Sequence, residues 1–354
     1  MSDKKQVIKN IAGTFLIDAT AAFLNGAGMG AGENKNKVIP KTFSEQNGTR
    51  KEQVPYVSAQ SFRRWLRNTA NEENQWAPSE LRGTKTNDKG STSKIATELN
   101  PIEFPEDDIF GYMSAGASTG TKKEDKAESV QRTTAFKNSI LRAIRGKRTL
   151  NTDEGFVHLK DGSPLPYSTQ FYSAYLEGFF NLECYRLGVY DNLASKVELS
   201  KSLLEQHAET LKSETIHKKF TRYILDNVDR LQNERAAGLL RGLAHLRGGA
   251  KQAAFATDVS PKVIILAGMT CANPVFNDLF IAHELRPTLK VAALKEIARD
   301  YVDKLSTPIY VGIRTGLLEN EAEVLALSDS GRFVVDSPIN AVRKFNKTYL
   351  RNEG

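Results

Sequence analysis

The sequence predicts an α+β fold with the order strand, helix, strand, strand, helix, strand, interrupted by insertions. Three observations carry that prediction. Residues 13–19 (Gly-Thr-Phe-Leu-Ile-Asp-Ala) combine β-formers with small residues and read as an opening strand. Residues 58–69 read as a helix with one aromatic and one cationic side. Residues 263–267 (Val-Ile-Ile-Leu-Ala) form a short unbroken apolar run, as a buried closing strand does. With the insertions removed, this is the ferredoxin-like order, which is also that of RNA-recognition motifs.

The helix organises the rest. Pro55 biases the residue before it toward extended backbone, and Ser58 suits an N-cap because its hydroxyl can accept a free first-turn amide. At about 100° per residue, Phe62, Trp65, Leu66 and Thr69 gather on one side, and Gln60, Arg63, Arg64 and Arg67 on the other. The apolar side is read as the one that pins the helix to the sheet. Taken alone, the charged side reads first as a solvated face. No Asp or Glu occurs between Gln53 and Asn71, however, so the three guanidinium groups lack partners close in sequence and call for an anion from elsewhere.

After the opening strand come Asn25-Gly26-Ala27-Gly28-Met29-Gly30-Ala31-Gly32 and a polar loop to about Arg50. The spacing of Gly26, Gly28 and Ala31 satisfies a relaxed dinucleotide fingerprint, but Glu33-Asn34-Lys35-Asn36-Lys37 follows where a helix should open. A mobile glycine loop that admits close backbone approach is the preferred reading. Residues 71–130 read as a polar, acidic insertion. Within it, Glu106, Asp107 and Asp108 suit a helix start, where the dipole favours acids. Residues 131–144 are strand-like. Residues 146–168, with Asp161-Gly162 and two prolines, read as a projecting hairpin. The aromatic stretch 167–190 reads as a long strand whose rings pack in the core or, alternatively, stack bases. Residues 193–246 are expected to be mostly helical, from a period through Phe220, Ile224, Leu225, Val228, Leu231 and Leu239. Gly248-Gly249 then caps the helix and leaves backbone free of bulk beside Lys251 and Gln252. A helix over 288–305 and short strands at 308–313 and 333–335 complete the chain.

Composition bounds the function. The chain has 354 residues, 40% hydrophobic and 26% charged, which is ordinary for a globular protein with a substantial core. Its net charge of +7 favours a polyanionic partner. Residues 1–70 hold eleven Lys/Arg against five Asp/Glu, and 71–130 reverse this at seven against twelve. Residues 131–150 hold Arg132, Lys137, Arg142, Arg145, Lys147 and Arg148 with no acid. Two basic blocks around an acidic insertion point to one interrupted binding surface. Two cysteines, Cys184 and Cys271, in apolar surroundings fit a reducing cytoplasm rather than a disulfide framework. No apolar h-region follows Met1 and no apolar run reaches about 18 residues, so neither secretion nor membrane insertion is expected.

No enzyme site assembles from the sequence. The five histidines (His158, His207, His217, His245 and His283) show no metal-ligand spacing, and no nucleophile elbow or phosphate-cradling Walker loop occurs. Asp18 is the one carboxylate worth testing for metal-dependent phosphodiester cleavage, and a two-metal site needs several. No cofactor is expected. What does assemble is a phosphate-binding set: Arg63, Arg64 and Arg67 on one helix; Arg132, Lys137, Arg142 and Arg145 on or beside a strand; Lys251 and Gln252 after the glycine pair. Cations neutralise phosphates whatever the base sequence, and no base-reading pattern accompanies them.

Several of these segments, in serial order, resemble the DevR-type (Cas seven) backbone subunits of CRISPR type I interference complexes, most closely the type I-B branch. They are the strand and glycine stretch at 10–30, Tyr56-Val57-Ser58-Ala59-Gln60-Ser61-Phe62-Arg63-Arg64-Trp65-Leu66-Arg67, Asp108-Ile109-Phe110-Gly111-Tyr112-Met113, Arg132-Thr133-Thr134-Ala135-Phe136, Gly248-Gly249-Ala250-Lys251-Gln252 and Asp258-Val259-Ser260-Pro261. The resemblance implies one decorated domain over 1–354. Its palm is a modified RNA-recognition motif over 1–70, 131–145 and 171–354, its helical fingers insertion 71–130 and its β-hairpin thumb 146–170. The aromatic signature of ordinary RNA-recognition motifs is missing, so base stacking on the sheet is not implied. The implied function is a non-catalytic subunit that polymerises with copies of itself along CRISPR RNA, beside other Cascade subunits, and leaves bases free to pair with target DNA. Residues expected at the RNA are Asn25, Gln60, Ser61, Arg63, Arg64 and Arg67, then Arg132, Lys137 and Arg142, then Gly248, Gly249, Lys251 and Gln252. The alternative within the same fold is a metal-dependent ribonuclease that cuts guide-paired RNA and relies on Asp18.

Overall fold

The computed structural model describes residues 7–29, 37–80, 82–84, 94–114, 129–144, 149–157, 161–162, 165–193, 196–282 and 286–352. Arg145, Lys147, Arg148, His158, His283 and the end of the glycine stretch lie outside them, as does much of the expected insertion. The chain divides into two compact units, one of 1–69, 138–181 and 243–345, the other of 70–137, 182–242 and 346–354. The whole is a mixed α/β structure.

The first unit is built on a large sheet. From edge to edge its main path runs Phe333–Asp336, Ile309–Ile313, Val263–Met269, Asn10–Ala22, Leu165–Glu183, Leu141–Ala143, Arg50–Val57 and Thr42–Asn47. The opening strand pairs antiparallel with the apolar run, Asn10 opposite Met269 and Leu16 opposite Val263. Alternation then sorts the side chains. Phe15 meets Phe62 of the helix Ala59–Asn74 at 5.3 Å between ring centroids, and Phe62 and Leu66 are fully buried. Burying each such side chain stabilises by roughly 1.5–3 kcal/mol. Ala12, Leu16, Val263, Ile265 and Ala267 belong to a second cluster with Leu279, Phe280 and Leu294. The helix Val291–Asp300 contributes Val291, Leu294 and Ala298 to that cluster, a single helical stripe.

Two ribbons branch from this sheet. Thr149–Val157 pairs antiparallel with the start of Leu165–Glu183, from Thr149 opposite Ser173 to Val157 opposite Leu165. Gly26–Met29 pairs antiparallel with Lys37–Pro40, which runs parallel to Ser168 and Thr169. The expectation of a glycine loop from residue 26 is therefore corrected. The backbone extends through a register shift between Gly26 and Gly28, and Gly28 takes φ 102°, which glycine adopts without strain. The polar stretch before Arg50 likewise holds the hairpin strand Thr42–Asn47, paired with Arg50–Val57.

The second unit contains the helices Pro105–Phe110, Lys201–Gln206 and Val228–Ala244 and a three-stranded sheet with Phe220–Leu225 between Val189–Leu193 and Leu211–His217. This corrects the helical reading of 193–246. Phe220, Ile224 and Leu225 fit a helical period, but Thr215, Ile216, Thr221 and Tyr223 around them are strand formers, and two such runs with a two-residue link make a hairpin. The helix begins only after Asn227, whose φ is 57°.

The acids of Pro105–Phe110 do occupy its first turn, and they are buried. Asp108 forms ion pairs with both Arg132 and Arg235 and accepts the Gly188 amide at 3.0 Å. Arg132 also pairs with Glu198 at 2.8 Å, donates to the Val189 and Arg186 carbonyls, and lies 4.7 Å from the centroid of the Tyr190 ring. Burial is the largest single influence and acts to lower the pKa of both guanidinium groups, but Asp108 together with Tyr190, and for Arg132 also Glu198, outweighs it, so both pKa values lie above the usual arginine value.

Candidate nucleic-acid interface

The arginine helix starts as its sequence dictates. The Ser58 hydroxyl accepts the Ser61 amide at 3.3 Å and lies 3.0 Å from the Ser61 hydroxyl, to which it donates its own hydrogen. The Ser58 amide is taken by the Asn25 side-chain oxygen at 2.9 Å, tying the helix start to the end of the opening strand. Asn25 thus spends its acceptor on the fold and keeps its amide N–H groups as donors.

The glycine turn is fastened to the same helix. Gly248 has φ 149° and its α-carbon faces the Trp65 indole; a Cβ there would stand 2.3 Å from the ring. Only glycine allows this approach. Two hydrogen bonds between Arg247 and the Thr69 hydroxyl, at 3.1 and 3.3 Å, hold the other end of the turn, and the Ala250 amide donates to the Leu24 carbonyl at 2.9 Å. Gln252 donates to the Gly248 carbonyl, so its amide closes the turn from within. Gly249, at φ 105°, sits between Leu24 and Gln252. Trp65, expected to pin the helix to the sheet, instead forms the floor of the turn, while Phe62 and Leu66 do the pinning.

The cations divide into distinct kinds. Arg64 is exposed and pairs with no acid among the described residues, and Gln60 beside it is also exposed. Arg63 is half-buried, with its Nε donating to the Asn138 side chain at 2.6 Å. Desolvation, and then the neighbouring Arg67 charge, lowers its pKa. Lys251 sits at φ 52°, donates to the Thr169 hydroxyl at 2.7 Å and lies 5.4 Å from the centre of the Phe23 ring. The helix and turn therefore present Gln60, Arg63, Arg64, Arg67 and Lys251 on one fastened substructure, able to hold anions.

The strand block behaves differently, because each of its three described cations meets an acid from far in sequence. Arg132 is only 2% exposed and saturated by the Asp108 and Glu198 pairs, so it is an internal cation rather than a phosphate ligand. Lys137 pairs with Glu183 at 2.5 Å, and Arg142 pairs with Asp278. Arg132 and Lys137 also belong to the second unit, whereas the helix face and turn belong to the first. The block lacks acids along the chain, but the fold supplies them from far in sequence. Thr169 and Phe23, which hold Lys251, were not legible as site residues, since neither carries a charge or a motif.

Arg142 lines a cavity of about 370 Å³ with Glu177, Asp278, Lys290, Phe43 and Phe280. Burial raises the Glu177 pKa despite the Leu279 amide, which donates to it at 3.0 Å, and despite Arg142. A carboxyl raised in the folded state binds protons there that the unfolded chain has already lost, so stability falls as pH rises from the unfolded value through the folded one. Glu177→Gln should flatten the pH dependence of stability in that window and leave the acid limb unchanged, as read by urea denaturation across pH.

Among the described residues no group of three His, Cys, Asp or Glu side chains is placed to hold a metal ion, and no helix is long and apolar enough to cross a membrane. Asp18 is half-exposed and accepts the Thr20 hydroxyl at 2.9 Å.

The family model described as CRISPR-associated negative auto-regulator DevR/Csa2 matches residues 11–284. None of the curated proteins compared with the chain matches it. A solved chain titled "CRISPR RNA-guided surveillance complex, pre-nicking" is similar in fold, with a TM-score of 0.50 and 12% identity, covering 91% of this chain and 99% of its own. Another, titled "CRISPR RNA-guided surveillance complex", gives a TM-score of 0.47 at 12% identity, with the same coverage of 91% and 99%. With the family model matched over most of its length, the chain belongs to the DevR/Csa2 family of CRISPR-associated proteins.

Proposed function

We propose that the protein is a non-catalytic backbone subunit of a type I CRISPR surveillance complex, of the type I-B branch. In this reading it polymerises along CRISPR RNA in the cytoplasm, grips the sugar-phosphate backbone and leaves bases free to pair with target DNA. The observation that carries it is the fastened helix and turn, which offers exposed Arg64 and Lys251, groups suited to phosphates whatever the base. Family membership supplies the CRISPR setting. The strand order Val263–Met269, Asn10–Ala22, Leu165–Glu183, Leu141–Ala143, with the arginine helix following Asn10–Ala22 and Val228–Ala244 preceding Val263–Met269, supports reading this sheet as a modified RNA-recognition-motif palm. The ribbon Thr149–Val157 with Leu165–Ser173 supports the thumb.

Purifying the protein from its native cells tests the proposal. RNA of uniform length should accompany it, together with other subunits, and guide-matched RNA added with Mg²⁺ should stay intact. Regularly spaced cuts that disappear in Asp18→Ala would contradict the non-catalytic part.

A further inference from the structure

Within the helix and turn, Lys251 is held by two groups from elsewhere in the fold. Its ammonium donates to the Thr169 hydroxyl at 2.7 Å and stands 5.4 Å from the Phe23 ring centre. Thr169 is only 3% exposed and sits in the long strand, opposite Asp153 and beside Val38 in parallel register. Two residues on, and therefore on the same face of that strand, Phe171 packs against Phe255 at 5.6 Å between ring centroids. Phe255 ends the short helix Gln252–Phe255 that Lys251 begins. One face of the long strand thus clips the segment at both ends, through a hydroxyl at Lys251 and a ring at Phe255.

We infer that Thr169 is a positioning residue for RNA binding, one that acts through Lys251. This rests on the proposed function, in which Lys251 meets a phosphate. An ammonium group has three donors. Thr169 takes one, and the cation–ring contact restricts the side chain further, leaving the remaining donors for an anion. A free lysine must lose its rotamer freedom when it binds, and one already held has lost much of it. Thr169 carries no charge, so it adds nothing to the count of neutralised phosphates. Its contribution lies in the geometry of the cation and should vanish with that cation.

The test is the affinity of the full-length chain for a labelled single-stranded RNA at low salt, in the parent, Thr169→Val, Thr169→Ser, Lys251→Met and Thr169→Val/Lys251→Met. Valine is nearly the same size as threonine and suits a strand; circular dichroism checks that each variant is folded. Thr169→Val should weaken binding about three- to tenfold, the range expected for one freed side chain. Thr169→Ser should restore most of the loss. In the Lys251→Met background Thr169→Val should change nothing further, and its salt slope in the parent background should stay that of the parent. Equal losses from Thr169→Val with and without Lys251 would overturn the positioning role while leaving the proposed function standing. So would parent affinity in Thr169→Val while Lys251→Met binds weakly. A parent chain with no affinity for the RNA would overturn the proposed function and this assignment together.

Discussion

Asp108→Ala is expected to destabilise the second unit by about 3–5 kcal/mol, the cost of removing one partner from a buried ion pair. Asp108 is fully buried and serves two guanidinium groups, Arg132 and Arg235, which are themselves buried. Without it, Glu198 still pairs with Arg132, while Arg235 keeps the Pro101 and Ile102 carbonyls and its contact with Tyr190, none of them a carboxylate. A loss of that size is a large fraction of the roughly 5–15 kcal/mol that holds a typical domain together. Hydrogen exchange over Val228–Ala244, which carries Arg235, should quicken accordingly. Protection unchanged from the parent would mean that the buried charges find other partners.

The second large effect concerns binding. Arg63→Ala, Arg64→Ala and Lys251→Ala combined should reduce the slope of log affinity against log salt by about 2, at roughly 0.7 for each single-strand phosphate that is no longer neutralised. Binding at low salt should fall for every RNA sequence alike, because phosphate contacts carry no base information. Arg132→Met belongs beside it as a contrast. It should lower stability without an effect on the slope in whatever fraction remains folded, since Arg132 is an internal cation. An unchanged slope in the triple variant would remove the helix and turn from the interface.

Much of this was legible in the sequence where local chemistry decides the outcome. Ser58 caps its helix because a hydroxyl beside free amides has little else to do there. Phe62 and Leu66 are buried because the helical period puts them on one side. Gly248 could be picked out because a glycine pair after a helix marks close approach, although its neighbour Trp65 could not. Pairings between residues distant in sequence were hidden. Arg132, Lys137 and Arg142 stand in a stretch without acids, yet their partners Asp108, Glu198, Glu183 and Asp278 arrive from elsewhere in the chain. Absence of local acids therefore held in three dimensions for Arg64 on the helix and did not hold for the strand. The hairpin at 211–225 was hidden for another reason: its apolar spacing fits both periods, and only its β-branched residues separate them.

The claim that this protein grips the backbone of a guide RNA is tested most directly by the RNA recovered with it from native cells. Sequencing should return molecules of uniform length with unrelated spacer sequences between common ends. Recovery of no RNA, or of RNA selected by a shared internal sequence, would contradict the account.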